Sequence, residues 1–196
     1  MGYRAIRICL KQPGIFKTQL RALLRAAVYG DLAILYPMIT SVQEVRQIFA
    51  IVGQVQAELD AAGILYKCPR QGVMIETPAA VMVSGELAGL ADFFSIGTND
   101  LLQYTLAVDR QNEKLADFYD PYHPAVLEMI RMVVKNAHAR GKQVGICGEL
   151  GADLRMTGEF IRMGVDELSV APSMILPIRQ AVRDYAPAGY GSAGDS

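Results

Sequence analysis

Hydrophobic positions alternate between two spacings along the chain. Phe16, Leu20, Leu23, Leu24, Ala27 and Val28 fall on one face of a helix over residues 14–29, which stops at Gly30. The run Ala33-Ile34-Leu35-Tyr36-Pro37-Met38 is too short for a helix and is placed like a buried strand. Ser41 and Glu44 form an S-x-x-E capping box, opening a helix to about Ala62 that closes at Gly63. Gly72 to Glu76 predicts a second strand, and Thr77-Pro78 starts another helix with proline in its first turn. Phe93 to Gly97 predicts a third strand, with Asn99-Asp100 leading into the helical run LLQYTLA. A polar stretch from Asp109 to Asp120 precedes a helix near 123–140 that ends at Gly141. Val144 to Cys147 is the fourth strand, Asp153 caps a helix over 154–163, and Glu167 to Val170 is the fifth strand. Ser173 opens a last helix to about Tyr185, and the small, polar remainder APAGYGSAGDS is expected to be a disordered tail.

Strands alternating with helices imply parallel βα units, an α/β protein. No G-x-G-x-x-G or Walker A motif follows any strand, which weakens a dinucleotide or P-loop reading. Glu76, Asn99-Asp100 and Cys147-Gly148-Glu149 stand instead at strand C-termini, where a (β/α)8 barrel builds its site. Such a barrel needs eight strands, and the pattern supplies five.

Composition narrows the class. The 196 residues carry 19 Lys+Arg against 20 Asp+Glu, a net charge of −1, with 52% hydrophobic residues. This excludes a disordered chain and gives no basic footprint for nucleic acid or for a polybasic membrane contact. No apolar run reaches the roughly 18–20 residues of a membrane helix, and the N-terminus lacks a secretory apolar region. Cys9, Cys68 and Cys147 are widely spaced without a CxxC, so no disulfide framework or zinc site is indicated. The expectation is a cytoplasmic protein. The mean hydropathy of +0.21 is high for a self-sufficient soluble domain.

Glu76 and Asp100 suit a magnesium ion, which takes one or two carboxylates and completes its shell with water and substrate phosphate. Capping of the following helix is the plain alternative, and Asp100 fits it. The turn Ser95 to Asp100 can aim backbone N–H groups at an anion, or be an ordinary βα turn. Arg110 suits a phosphate, or a surface ion pair with Asp109. Cys147 between small residues is a nucleophile, a proton donor or plain core. His123 reads as a helix-entry residue, His138 lies among polar residues, and Met129, Met132, Met156 and Met163 read as core.

The stretch DFFSIGTNDLLQYTLAVDR, residues 92–110, resembles the second signature of phosphoenolpyruvate-utilising enzymes. YTLAVDR resembles the enzyme I family of the bacterial phosphoenolpyruvate:sugar phosphotransferase system. Further matches are GYRAIRICL (2–10), QLRALLRAAVYG (19–30), PMITSVQEVR (37–46), GVMIETPAA (72–80), DPYHPAVL (120–127), GICGE (145–149) and ILPIR (175–179). The resemblance implies a TIM-barrel domain over 1–183, with strands four to eight of the barrel present. It implies Mg2+ on Glu76 and Asp100, phosphoenolpyruvate held by Arg4, Asn99 and Arg110, and Cys147 protonating the enolpyruvate carbon as pyruvate leaves. It also implies an N-terminal phosphohistidine domain, a small phosphocarrier protein and a homodimer. Departures from the family pattern are Gly14, where an acid is usual, and GELGAD for GELAGD; neither touches an implied ligand. The histidine domain and three strands with two further substrate arginines lie outside this sequence. The isolated chain is therefore expected to be inactive, with weak or no substrate affinity, each missing charged hydrogen bond being worth roughly 1.5–3 kcal/mol. A phosphoenolpyruvate synthase or pyruvate phosphate dikinase, and a non-catalytic dimerisation or regulatory fragment, are the alternatives.

Overall fold

The structure, a computed structural model, describes residues 2–185. In chain order the elements are α1 (Ile6–Lys11), α2 (Pro13–Ala26), β1 (Ala33–Tyr36), α3 (Val42–Ala61), β2 (Arg70–Ile75), α4 (Pro78–Met82), α5 (Ser84–Leu87), β3 (Phe93–Gly97), α6 (Thr98–Leu106), α7 (Pro124–His138), β4 (Gln143–Cys147), α8 (Leu154–Met163), β5 (Glu167–Leu168) and α9 (Ile175–Asp184). Short 3-10 turns at Glu113–Phe118, Glu149–Ala152 and Pro172–Met174 join them. The expected tail APAGYGSAGDS lies outside the described residues.

Most element starts follow local chemistry. Ser41 Oγ accepts the Glu44 N–H while the Glu44 carboxylate accepts the Ser41 N–H, the complete capping box at the head of α3. Thr77 caps α4 and Asp153 caps α8. The His123 ring accepts the Ala125 N–H at the head of α7, the helix-entry role read from its place before Pro124. Three elements differ from the pattern. α1 is additional: six residues with no side-chain cap and one buried side chain give periodicity nothing to detect. The helix after Thr77 is broken at Val83, where Ser84 turns its hydroxyl back to the Val81 carbonyl and accepts from Asn136 of α7. The fifth strand is two residues long, although the Ser169 N–H still donates to the Ile146 carbonyl.

The five strands are all parallel and lie side by side in chain order, β1-β2-β3-β4-β5. A doubly wound sheet reverses its strand order part-way; successive right-handed crossovers without reversal put every helix on one face, as in a barrel wall. The alternation confirms it. Ile34, Tyr36, Val73, Ile75, Phe94, Ile96, Val144 and Ile146 point to the helices and are buried. The positions between them, including Ala33, Leu35, Arg70, Met74, Phe93, Ser95, Gln143, Gly145 and Cys147, line a cavity of about 420 Å³ on the other face. The architecture is that of an incomplete (β/α)8 barrel, five βα units of the TIM-barrel family. At Gly72 a side chain would meet the Phe93 ring at 2.3 Å, so glycine lets that ring lie across β2.

Candidate active site

Three strand ends and the chain's first turn converge on two carboxylates. Glu76 follows β2 directly and is buried, 5% exposed; its Oε1 accepts the Met38 N–H at 2.6 Å. Met38 donates from a left-handed conformation with φ 61°, which a side-chain-bearing residue adopts only at a cost. Asp100, 7% exposed, stands in the first turn of α6 but does not cap it: the cap position is Gly97, and no side chain bonds the free N–H groups. Instead Asp100 Oδ2 pairs with the guanidinium of the half-exposed Arg4. Its Oδ1 is buried with no hydrogen-bond partner among the described residues. Between the two acids, Gly97 keeps the space open, since a side chain there would meet Glu76 Cβ and Oε2 at 2.9 Å.

Burial pushes the Glu76 carboxyl up to about 6; the Met38 N–H and Arg4 oppose this, and the negative Asp100 adds to it. Folding therefore favours the protonated acid. The stabilisation this gives is present at low pH and is lost as pH rises from the ordinary carboxylate range through about 6. In chelator-treated protein, urea unfolding should show stability falling by about 2 kcal/mol across that window. Glu76→Gln should flatten the fall, and an unchanged profile in this variant would remove Glu76 as its source.

The pair suits a divalent cation. Each acid has one oxygen engaged by a protein donor, and Asp100 Oδ1 has none, a costly arrangement for a buried acceptor. Two hard oxygen ligands with the remainder left to water and substrate is the habit of Mg2+. No third acidic, histidine or cysteine ligand joins them among the described residues.

Cys147 ends β4, half-buried in the cavity face and paired in register with Gly97. Its Sγ accepts the Ser95 hydroxyl at 3.3 Å and faces the Ile96 carbonyl at 3.5 Å. Burial pushes the thiol up; the Ser95 hydroxyl pulls it back, while Glu76 and Glu167 push it further. A thiol so held keeps its proton at neutral pH, which suits a proton donor and not a nucleophile.

Asn99 serves the turn after β4. Its side-chain oxygen accepts the Glu149 N–H at 3.0 Å, and Thr98 donates to the Cys147 carbonyl at 2.9 Å. Gly148, at φ +96°, passes so close that a Cβ would lie 2.6 Å from Thr98 Oγ1. Any anion contact by Asn99 therefore falls to its NH2 group. Arg110 stands apart from the carboxylates. It lines a second hollow of about 310 Å³ with Asn112, Tyr119 and Glu149, and its N–H donates to Gln103. It forms no ion pair with Asp109 or any other acid among the described residues. The two hollows share no lining residue; Cys147 lines the first and Glu149, two residues on, the second. The structure thus joins Arg4, Glu76 and Asp100 in one cluster and puts Cys147 on β4, next to β3, with Arg110 in the second hollow. Sequence reasoning missed Met38, Ser95 and Tyr119, whose relevance depends on strand register and loop path. Cys9 and Cys68 are unpaired, half-buried and exposed respectively.

Comparison with known proteins agrees with this architecture. A citrate lyase from Burkholderia xenovorans superposes with a TM-score of 0.61 at 20% identity, over 85% of this chain and 53% of that one. A pyruvate kinase from Cryptosporidium parvum gives 0.59 at 10% identity, over 83% and 34%. At those identities only the fold is shared. Sequence relatives are much nearer. The phosphoenolpyruvate-protein phosphotransferase of Priestia megaterium is 46% identical over 189 residues, 96% of this chain and 33% of that protein. That of Haemophilus influenzae is 48% identical over 185 residues, 94% and 32%. The chain thus spans about a third of the length of these relatives. The family described as "PEP-utilising enzyme, PEP-binding domain" matches residues 1–186, and the chain belongs to it.

Proposed function

We propose that this chain is the phosphoenolpyruvate-binding part of a phosphoenolpyruvate-protein phosphotransferase, with Glu76 and Asp100 as its Mg2+ ligands. The observation that carries the reading is the buried carboxylate pair at adjacent strand ends, with a free Asp100 oxygen and a guanidinium alongside. Phosphoenolpyruvate carries a phosphate and a carboxylate, and phosphoryl transfer is accelerated chiefly by positioning and by gathering charge. Bound Mg2+ would supply charge neutralisation at the phosphate and the developing enolate. Arg4 offers its guanidinium at the same cluster; this reading also gives the phosphate the NH2 of Asn99, and Arg110 from the neighbouring hollow. The phosphoryl group moves to a histidine of an upstream domain, then to a small carrier protein serving sugar uptake. The P–O bond of the substrate breaks and an enolate remains. Cys147 then gives its thiol proton to the methylene carbon, and pyruvate leaves. A homodimer in the cytoplasm is the setting this reading implies for the whole protein. No helix among the described residues is long and apolar enough to cross a membrane.

Amide chemical-shift mapping of the 196-residue chain tests the reading, since it registers weak complexes. With Mg2+ present, phosphoenolpyruvate should shift the amides of residues 98–100, 76–77 and 147–149, and chelation should reverse this. Substrate shifts confined to other residues, or shifts at these amides that chelation leaves unchanged, would overturn it.

A further inference from the structure

Among the inward-facing side chains of the sheet, Ser95 touches Cys147 but has no part in the reaction as proposed above. It stands two residues before Gly97 on β3, opposite Gly145 of β4. Gly145 bears no side chain, so nothing stands between the Ser95 hydroxyl and the next inward residue of β4, which is Cys147. The hydroxyl donates to Cys147 Sγ at 3.3 Å, and both side chains line the same cavity. Apart from a backbone hydrogen bond of its own residue, the rest of the thiol's surroundings work against a negative sulfur. Glu76 at the end of β2 and Glu167 on β5 both bear on it, and burial removes much of its water. The remaining contact, the Ile96 carbonyl at 3.5 Å, is an acceptor and can only hold the thiol proton.

We propose that Ser95 is the positioning residue of Cys147, its hydroxyl fixing the thiol on the cavity face and carrying the thiolate left after proton transfer. The inference rests on the reading of Cys147 as the proton donor. In the step concerned the S–H bond breaks and its electron pair stays on sulfur. The π pair of the enolate forms the new C–H bond as the ketone of pyruvate is restored. The serine proton stays on oxygen throughout, so Ser95 acts through Cys147 and touches no reacting carbon. A hydrogen bond to a charged sulfur, in a site where burial and two carboxylates oppose the charge, decides how readily the thiol gives up its proton.

The test uses the whole chain with Cys9→Ser and Cys68→Ser, which leaves Cys147 as the single thiol. Alkylation by iodoacetamide at one fixed pH should slow about tenfold in Ser95→Ala. It should recover to within about threefold in Ser95→Thr, whose extra methyl the cavity accommodates. A Ser95→Ala rate within about twofold of the parent would overturn the proposal. Should Ser95→Ala not fold, Ser95→Gly takes its place: the same slowing is expected, and a rate within about twofold of the parent also overturns the proposal. The reading of Cys147 itself is tested separately by Cys147→Ala in Mg2+-dependent exchange of pyruvate methyl protons with deuterium. Exchange by the chain that survives Cys147→Ala would refute the acid role while leaving the Ser95–Cys147 bond intact.

Discussion

Asp100→Asn weakens divalent-cation binding by about a hundredfold, the larger functional effect expected of any single substitution here. A carboxylate beside a divalent ion, at an effective dielectric of about 20, contributes several kcal/mol before hydration is repaid. Asparagine keeps the shape and one oxygen but removes the charge, and so leaves Glu76 as the single anionic ligand. The fold should be indifferent to the change. The Arg4–Asp100 pair is open to solvent on the arginine side and so adds little to stability. Removing one of two neighbouring carboxylates also relieves repulsion. Titration with Mn2+, followed by electron paramagnetic resonance, gives the constant directly, since Mn2+ accepts the same oxygen donors. Thermal unfolding in chelator supplies the control. Cation affinity within about threefold of the parent would remove Asp100 from the ligand set.

The other large effect is on stability. Phe94→Ala should cost about 3–5 kcal/mol, whereas Phe93→Ala, one residue earlier, should cost about 1 kcal/mol. Phe94 is 1% exposed on the helix-facing side of β3, the middle strand, and its loss leaves a cavity the packed helices cannot close. Phe93 lies half-buried on the opposite face, over Gly72 and beneath Arg70, whose guanidinium carbon is 5.7 Å from the ring centre. Urea denaturation of both variants compares the two faces of one strand. Equal costs would contradict a sheet packed on one side only.

Strand existence was legible because each run of branched apolar residues is short and is bounded by glycine, proline or a capping residue. Phe93–Gly97 and Leu154–Met163 agree with the pattern residue for residue. Glu76, Asp100 and Cys147 stood out for the same reason: each is a chemically capable residue where an apolar strand stops. What each would do was less legible. Asp100 reads in sequence either as a metal ligand or as a helix cap, and the second role fails because the cap position falls at Gly97, three residues earlier. Cys147 reads equally as core, nucleophile or acid, until burial and its neighbours show which protonation state is favoured.

The sequence by itself determined the βα order, the caps at Ser41 and Asp153, and the family, because these depend on spacing between neighbours in the chain. Only the tertiary structure decided that Asp100 meets Arg4, 96 residues away, and that Met38 supports Glu76 across two strands. It also decided that Ser95 stands beside Cys147 while Arg110 lies in a different hollow. Strand register sets these contacts, and a shift of one residue would turn every side chain to the other face. Register is fixed by the packing of the whole sheet against its helices, which no local pattern contains.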